Sequence, residues 1–305
     1  MTRANPLLTG ILLTIVAGAL FAGMDSLGKH LSTLLPVMQV IWGRYVVQTV
    51  VMTAWLGATT GTRFLRTSHP ILQLTRGLLL LACTFLMYEA LSRVPLADAT
   101  AVLFFSPIMV TVLSVALLGE RIGIHRIAAV LAGFCGMLLI LRPGIGSFHP
   151  ALFLVLAAAV LNAVYLILTR RLAGREDAAS TQFNTTAFGA VVMSAVVIPV
   201  WQTPDAATLA LLLAIGLLGT VGHFLLVSAF RYASASLLSP FLYTQVLVAA
   251  GVSVALFGDP LHGATIAGTA VLVASGLYIW WRENRVRTRE TAGDPAVRAD
   301  IHPGD

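Results

Sequence analysis

Ten long apolar stretches constrain the fold of this chain more than any other feature. They lie near residues 7–30, 36–57, 70–92, 96–118, 125–142, 150–170, 181–201, 207–232, 237–257 and 263–281. Because roughly 20 apolar residues in a helix cross the hydrocarbon core of a bilayer, each stretch is predicted to be a transmembrane helix. Only 10% of the residues are charged, whereas about 25% is usual in soluble domains. The sequence therefore predicts an all-α, polytopic membrane protein.

The distribution of lysine and arginine predicts how the helices are oriented. With the N-terminus inside, fourteen of these residues lie on the cytoplasmic side: Arg3, Arg63, Arg66, Arg121, Arg126, Arg170, Arg171, Arg175, Arg231, Arg282, Arg285, Arg287, Arg289 and Arg298. Lys29, Arg93 and Arg142 lie outside, and Arg44 and Arg76 lie within helices. Since short basic loops stay in the cytoplasm, both termini are predicted to be cytoplasmic in a bacterial-type inner membrane. The first apolar stretch has no cleavage site for a signal peptidase and is predicted to be retained.

The two halves of the chain contain an internal repeat. At an offset of 139 residues, Ser114–Glu120 matches Ser253–Asp259 with five identities. The same register pairs Phe85 with Phe224, Ala90 with Ala229, Ile127 with Ile266, Ala128 with Ala267, Leu138 with Leu277 and Ser106 with Gln245. An offset of 141 pairs Ala22 with Ala163, Leu27 with Leu168, Lys29 with Arg170, His30 with Arg171 and Leu31 with Leu172. Chance similarity between alanine- and leucine-rich stretches is the alternative, but the ungapped matches end in equivalent acidic residues.

The repeat divides the chain into residues 7–142 and 150–281, with five predicted helices in each half, followed by a charged tail at 282–305 that is predicted to be disordered and cytoplasmic. Because five is an odd number, the second copy enters the membrane in the opposite direction. Inverted repeats of this kind are typical of secondary transporters. The sequence therefore predicts two five-helix repeats of opposite orientation.

Several short motifs resemble those of a known family. They are Pro95-Leu96-Ala97-Asp98-Ala99-Thr100, Leu118-Gly119-Glu120-Arg121, Leu141-Arg142-Pro143-Gly144, Ala229-Phe230-Arg231-Tyr232-Ala233 and Ala235-Ser236-Leu237-Leu238-Ser239-Pro240. In these motifs the chain resembles the drug/metabolite transporter superfamily, in its EamA-type ten-helix branch, over residues 7–281. Gly258-Asp259 stands where the family usually repeats Gly-Glu. The resemblance implies a metabolite transporter, and similar proteins are linked to amino acids, riboflavin and S-adenosylmethionine.

Charged residues inside the predicted helices are the first candidates for function, because a charge in the bilayer core is costly. Asp25, Arg44 and Glu89 are predicted to form a network towards the outer side. Asp25 and Glu89 are candidates for proton coupling, with Asp25 favoured because it lies further from its helix end; a permanent ion pair that fixes helix packing is the alternative. Arg76 is predicted to extend to the lipid headgroups. Lys29 is predicted to contact lipid phosphate, with attraction of an anionic group as the alternative.

The candidates for substrate binding are aromatic or polar residues within the helices. They are Trp42, Arg44, Tyr88, Phe105, Ser106, Asn162, Tyr165, His223, Tyr243 and Gln245. Ser106 and Gln245 are equivalent in the repeat, and Pro107 removes a helix hydrogen bond and allows the backbone to open there. Sites for small molecules combine aromatic surface with a few polar groups. Interhelical hydrogen bonds and lipid-facing aromatic rings are the alternatives.

The missing motifs narrow the function classes. The chain has no GxxxxGK[ST] loop for ATP, its seven histidines are scattered without an HExxH motif, and Cys83 and Cys135 lie inside apolar stretches. We therefore predict a secondary transporter of a small polar metabolite working by alternating access, with no catalytic residues, no metal and no cofactor. A passive channel or a membrane assembly protein is the alternative, and an intramembrane enzyme is less favoured. The expected partners are the substrate, the bilayer, and a proton or counter-substrate, but no nucleic acid; the chain is expected as a monomer or homodimer.

Overall fold

A computed structural model describes residues 6–118, 123–142, 149–172, 175–233 and 235–291, without the side chains of 116–118, 235–236, 239 and 283–291. Its α-helices are α1 Pro6–Leu34, α2 Val37–Thr60, α3 Pro70–Leu91, α4 Leu96–Leu103, α5 Ser106–Leu118, α6 Ile124–Leu141, α7 Leu152–Leu172, α8 Ala178–Val196, α9 Ala206–Ala229, α10 Ala235–Leu238, α11 Thr244–Phe257 and α12 Gly263–Thr291. Three short 3₁₀ segments lie at Arg63–Leu65, Ile198–Val200 and Ser239–Tyr243.

Local sequence signals account for several helix boundaries. Pro70 begins α3, where its missing N–H removes no helix hydrogen bond. The side chains of Asp177 and Asp205 accept hydrogen bonds from the first turns of α8 and α9. Gly258 ends α11 with a φ of 63°, a left-handed conformation that glycine adopts without steric cost. These signals define the loops, and the apolar stretches between them form the membrane-spanning helices.

The fourth and ninth predicted helices are broken, which corrects the continuous helices predicted at 96–118 and 237–257. The first break lies at Phe104 and Phe105, directly before Ser106-Pro107. The second is the 3₁₀ segment Ser239–Tyr243, which contains Pro240. Proline cannot donate the helix hydrogen bond, so each break follows from the sequence. The two breaks face each other, with the rings of Phe104 and Tyr243 5.4 Å apart.

Helix packing repeats itself between the two halves. Helix α1 packs on α9, and its repeat equivalent α7 packs on α3; α2 packs on α9, and α8 packs on α3. The pairs α2 and α8, and α6 and α12, each join equivalent helices, and α4 packs on α11 where the equivalent fourth and ninth spans meet. An approximate two-fold axis that exchanges the halves produces this pattern. The chain is therefore an all-α bundle of two five-helix repeats, with the second copy inverted.

Eight helices in the described part of the chain are long and apolar enough to cross a membrane. Helices α2 and α8 complete the ten spans but are more polar. Gln39 and Gln48 are buried on α2, and Thr181 and Thr185 are buried on α8. Because these two helices are repeat equivalents that pack on each other, their polar groups face protein as well as lipid.

The C-terminal helix is longer than predicted. Helix α12 continues to Thr291, so the first part of the tail predicted to be disordered from residue 282 is helical. The sequence from Arg282 to Thr291 has no proline or glycine to end the helix. The remaining residues of the predicted tail, 292–305, lie outside the described residues, as do residues 119–121 and 143–144 of the motifs above.

The ends of the bundle are named by a residue at each. The Lys29 end is where α1 ends and α2 begins, and the Glu176 end is where α2 ends and α3 begins. Consecutive membrane spans alternate in direction, and α4–α5 and α10–α11 each form one span. The loops after α1, α3, α6, α8 and α11 therefore lie at the Lys29 end.

A close backbone contact between α6 and α12 gives a test of the fold. A Cβ atom on Gly268 would lie 2.5 Å from the carbonyl oxygen of Gly136. We expect Gly268→Ala to push the helices apart and to lower the stability by about 1–3 kcal/mol, measured as a lower thermal unfolding midpoint in detergent. Gly251→Ala is the matched control, because nothing lies within 4 Å of its added Cβ. Equal midpoints for the two variants would contradict this close packing.

Candidate functional site

Two buried charges lie between the halves of the bundle. Asp25 on α1 is 5% exposed and Arg44 on α2 is 8% exposed. The amide nitrogen of Gln245 on α11 donates a hydrogen bond to Asp25 Oδ2 at 3.2 Å. Arg44 Nη1 donates to the hydroxyl oxygen of Tyr88 on α3 at 3.2 Å. Together with Gln48, these residues form the central cluster, which joins both repeats: Asp25, Arg44, Gln48, Tyr88 and Gln245.

Small and aromatic residues hold Tyr88 against Arg44. A Cβ atom on Gly28 would lie 2.8 Å from Cζ of Tyr88, so glycine at this position admits the phenol ring. The guanidinium carbon of Arg44 lies 5.6 Å from the Tyr88 ring centroid and 5.8 Å from that of Tyr45. The Tyr45 hydroxyl in turn lies 3.1 Å from Thr84 Oγ1. Two aromatic rings therefore stabilise the cation without neutralising it.

The central cluster has fewer internal partners than its buried polar groups require. Arg44 Nε and Gln48 Nε2 are buried and have no hydrogen-bond partner among the described residues. Asp25 and Arg44 attract each other electrostatically, yet within the described residues no carboxylate lies at ion-pair distance from Arg44. Buried donors without acceptors are unfavourable. The arrangement therefore has spare hydrogen-bonding and charge capacity at the centre of the bundle.

Two further predicted site residues, His223 and Trp42, lie near the central cluster. His223 on α9 bonds through Nδ1 to the Gly219 carbonyl at 2.7 Å, and its ring packs on Phe21 at 4.8 Å. Trp42 precedes Arg44 by two residues, but its indole nitrogen donates to Ser194 Oγ at 3.0 Å. His223 thus borders α1 near the cluster, whereas Trp42 makes an interhelical hydrogen bond.

The contacts given for the other predicted site residues are with residues outside the central cluster. The rings of Phe105 and Phe134 lie 6.4 Å apart, centroid to centroid. Ser106 Oγ donates a hydrogen bond to the backbone carbonyl of Leu103, three residues earlier. Tyr243 contacts Phe104 at the helix breaks. Asn162 is half-buried on α7. The equivalence of Ser106 and Gln245 in the repeat therefore does not bring both to Asp25.

Glu89 does not join the predicted network of Asp25 and Arg44. It pairs with Arg93, one turn further along the chain and at the Lys29 end. Successive helix residues point about 100° apart, so Glu89 diverges from Tyr88, which faces Arg44. This pairing leaves Asp25 as the carboxylate of the central cluster.

Arg76 does not extend to the headgroups, and that prediction was wrong. It is 1% exposed and donates to Thr169 Oγ1 at 2.9 Å, to Gln73 Oε1 at 2.8 Å and to the Tyr165 hydroxyl at 3.2 Å. Thr169 and Tyr165 lie on α7, which packs on α3. Tyr165 is therefore a partner of a buried arginine, and the sequence contained no local signal for this contact.

Lys29 does not contact lipid phosphate as predicted, because it pairs with Asp259. Its Nζ lies 2.7 Å from Asp259 Oδ2 and donates to the Val94 carbonyl at 3.1 Å. Ser253 Oγ donates to the same carboxylate at 2.7 Å and accepts from the Ala97 backbone N–H at 3.2 Å. This Lys29 clasp, comprising Lys29, Val94, Ala97, Ser253 and Asp259, connects the two repeats at the Lys29 end.

The carboxyl of Asp259 lies in the loop between α11 and α12. Burial opposes its ionisation, but hydrogen bonds from Lys29 and Ser253 and the Lys29 charge outweigh that effect and hold the pKa of Asp259 below its ordinary value. The ion pair therefore persists at neutral pH. The repeat contained a signal for the clasp, since it matches Lys29 with Arg170 and Asp259 with an acidic residue.

Further contacts join the repeats at both ends. Thr265 Oγ1 donates to Asp98 Oδ1 at 2.6 Å, and Arg142 donates to Thr265 at 3.0 Å, near the Lys29 clasp. At the opposite end, Glu176 Oε1 accepts hydrogen bonds from the Thr67 hydroxyl and from the Ser68 and His69 backbone. Burial of Glu176 opposes ionisation, but these bonds together with one from the His69 ring hold its pKa below the ordinary value.

A multi-pass helical bundle of two repeats, with buried charges where the halves meet, defines the class of membrane transporters. The model of the EamA-like transporter family matches residues 8–142 and 149–281. The chain belongs to this family.

Its relatives transport different small molecules. The chain is similar to the S-adenosylmethionine uptake transporter of Rickettsia felis, at 28% identity over 93% of this chain and 96% of the relative. It is also similar to the riboflavin transporter of Vibrio cholerae (28%, 93% and 96%) and to the pseudopaline exporter CntI of Pseudomonas aeruginosa (30%, 88% and 94%). A solved crystal structure shares the fold, with a TM-score of 0.62 and 21% identity over 93% of this chain and 99% of the other.

The contact between Gly28 and Tyr88 provides a test of the central cluster. We expect Gly28→Ala to displace the phenol, because the added Cβ would overlap the ring, and to lower the stability by about 1–3 kcal/mol. Gly23→Ala on the same helix is the control, since its Cβ would meet only Leu218 at 3.7 Å. The measurement is the thermal unfolding midpoint in detergent. A Gly28→Ala protein as stable as Gly23→Ala would show that Tyr88 does not lie against α1.

Proposed function

We propose that this metabolite transporter works by alternating access in a bacterial inner membrane and moves its substrate without changing it chemically. Its termini would be cytoplasmic, with the Lys29 end outside and the Glu176 end inside. The excess of arginine in the loops of the Glu176 end supports this orientation. S-adenosylmethionine and riboflavin are the first substrates to test, because transporters of both are similar to this chain.

The proposal rests on a contact whose residue types, a serine and an acidic residue, occur at equivalent positions in both repeats. At the Lys29 end, Ser253 Oγ donates to Asp259 and the clasp is formed. The equivalent serine of the first repeat, Ser114, instead donates to the Thr111 carbonyl of its own helix at 2.9 Å. The acidic residue equivalent to Asp259 is Glu120, which lies outside the described residues.

We infer that the two equivalent contacts form in turn. The Lys29 clasp would close the outer side in the present state, and a contact of Ser114 with Glu120 would close the inner side in the other state. A two-fold related bundle has two arrangements of similar energy, which is the requirement for alternating access. The central cluster lies between the two ends and would face one side at a time.

Asp25 is proposed as the coupling carboxylate. It is the acidic side chain of the central cluster, and within the described part of the chain it accepts a hydrogen bond from the amide of Gln245. Glu89 is held by the nearby Arg93 instead. A proton or a counter-substrate at Asp25 would connect substrate movement to a gradient.

Transport in proteoliposomes tests the coupling role. Under an imposed pH gradient, we expect saturable uptake and counterflow of labelled S-adenosylmethionine or riboflavin. Asp25→Asn should abolish accumulation driven by the gradient and retain exchange, whereas the matched control Glu89→Gln should retain both. A passive channel would equilibrate either compound without saturation or counterflow. Unchanged accumulation by Asp25→Asn would remove this residue from coupling.

Labelling with a membrane-impermeant maleimide tests the two closures. Val94, which is 3% exposed, carries the carbonyl that Lys29 contacts, so Val94→Cys would report on the outer side after both native cysteines are replaced by alanine. We expect Asp259→Asn to increase labelling from outside about fivefold, the change that about 1 kcal/mol produces in a two-state ratio. Glu120→Gln should decrease it, because loss of the inner contact favours the outer-closed state.

The opposite signs separate alternating access from simple loosening. If both variants increased labelling, or neither changed it, the two contacts would not be alternative closures. A double variant, Lys29→Asp with Asp259→Lys, should restore protection because it reverses the ion pair.

A further inference from the structure

We propose that the central cluster binds a dipolar metabolite, with a carboxylate at Arg44 and Gln48 and a cationic group at Asp25. The inference rests on the proposed function in that it takes this ligand to be the transported one. It adds the chemical class of the substrate and assigns a binding role to Gln48, which the sequence did not indicate.

Three donors of the central cluster have no acceptor among the described residues. Arg44 Nε and Gln48 Nε2 are buried without partners, on side chains that are 8% and 2% exposed. Residues four apart on a helix lie on the same face, so both donors belong to one face of α2. The Tyr88 hydroxyl accepts from Arg44 and, within the described chain, its own proton has no acceptor.

A carboxylate fits this donor set better than a neutral acceptor. The guanidinium is positively charged, and hydrogen bonds between charged groups are shorter and stronger than neutral ones. The planar Arg44 side chain can offer two parallel N–H groups to two oxygens, and Gln48 can donate to the same group from one turn away. The buried Arg44 charge also lacks an ion-pair partner among the described residues, and a ligand carboxylate would supply one.

Asp25, in contrast, requires a cationic partner. An ionised carboxylate can accept about four hydrogen bonds, whereas Asp25 accepts one from Gln245 within the described residues. A ligand ammonium or sulfonium would complete its environment. Proton and ligand cation would then occupy this carboxylate in turn, which is consistent with the coupling role proposed above.

The two buried charges together select a dipolar ligand over a singly charged one. A simple anion would pair with Arg44 but leave Asp25 without a cationic partner at ion-pair distance, and a simple cation would leave the free donors of Arg44 without an acceptor. An uncompensated charge in a low-dielectric interior is strongly unfavourable. The combination favours a molecule that carries both charges.

Binding to the purified full-length chain tests this inference with matched probes. Tryptophan and S-adenosylmethionine carry a carboxylate and a cationic group, tryptamine and decarboxylated S-adenosylmethionine lack the carboxylate, and indole-3-propionate lacks the ammonium. We expect at least one of the two dipolar compounds to raise the thermal unfolding midpoint, and we expect its counterparts that lack the carboxylate or the ammonium to bind with less than a tenth of its affinity. If neither dipolar compound stabilises the protein, or if a counterpart binds equally well, the proposal is overturned.

Two variants test which residue binds each charged end of the ligand. Gln48→Met keeps the side-chain length, removes the donor, and should weaken binding of the dipolar compound about tenfold without affecting tryptamine. Asp25→Asn should weaken the dipolar compound and strengthen indole-3-propionate, because Arg44 then lacks a nearby negative charge. Thr53→Val is the control on the exposed face of α2 and should bind as the unmodified chain does. Wild-type binding by both variants would exclude the cluster.

This experiment is independent of the labelling experiment. If the cluster binds a dipolar compound but the Asp259 and Glu120 variants do not change labelling at position 94 in opposite directions, the binding site is supported and alternating access is rejected. If the two variants change labelling in opposite directions but no dipolar compound binds, alternating access is supported and the substrate class is rejected.

Discussion

The cost of placing charged groups in a hydrocarbon environment governs this structure. Buried Arg76 meets that cost with donors to three side chains on two helices. Lys29 meets it with the Asp259 carboxylate and a backbone carbonyl. Arg44 differs, because its partners are a phenol hydroxyl and two aromatic rings. The proposed binding site follows from this contrast, since a charged group with few partners has capacity left for a ligand.

The two-fold arrangement places equivalent residues at opposite ends of the bundle, so the same kind of contact can be made at either end. Equivalent helices meet across the axis, and the breaks of the fourth and ninth spans touch through Phe104 and Tyr243. A symmetric bundle does not require symmetric side-chain contacts at every moment. Ser253 contacts Asp259, whereas Ser114 contacts its own backbone. This difference between equivalent residues supports the proposal that the bundle has two states.

Predictions from local properties were the more successful ones. The ten membrane-spanning stretches follow from the length of apolar segments, and the proline at each interrupted span indicates where the helix opens. Asp25, Arg44, Tyr88 and Gln245 were candidates because polar groups in apolar helices are rare. Gln48 was missed because it is one of several uncharged polar residues on α2, and its unpaired nitrogen is visible only after its neighbours are placed. The predicted roles of Lys29 and Arg76 failed because both assumed lipid where the bundle provides protein.

By itself, the sequence determined the number of crossings, the duplication and the family motifs, because hydrophobic length and internal similarity are properties of contiguous segments. The tertiary structure decided which polar groups meet. Lys29 and Asp259 are 230 residues apart, and Tyr88 reaches Arg44 because Gly28 leaves room for its ring. Such contacts depend on the rotation and close approach of helices, which many side chains set together. No single segment contains that information.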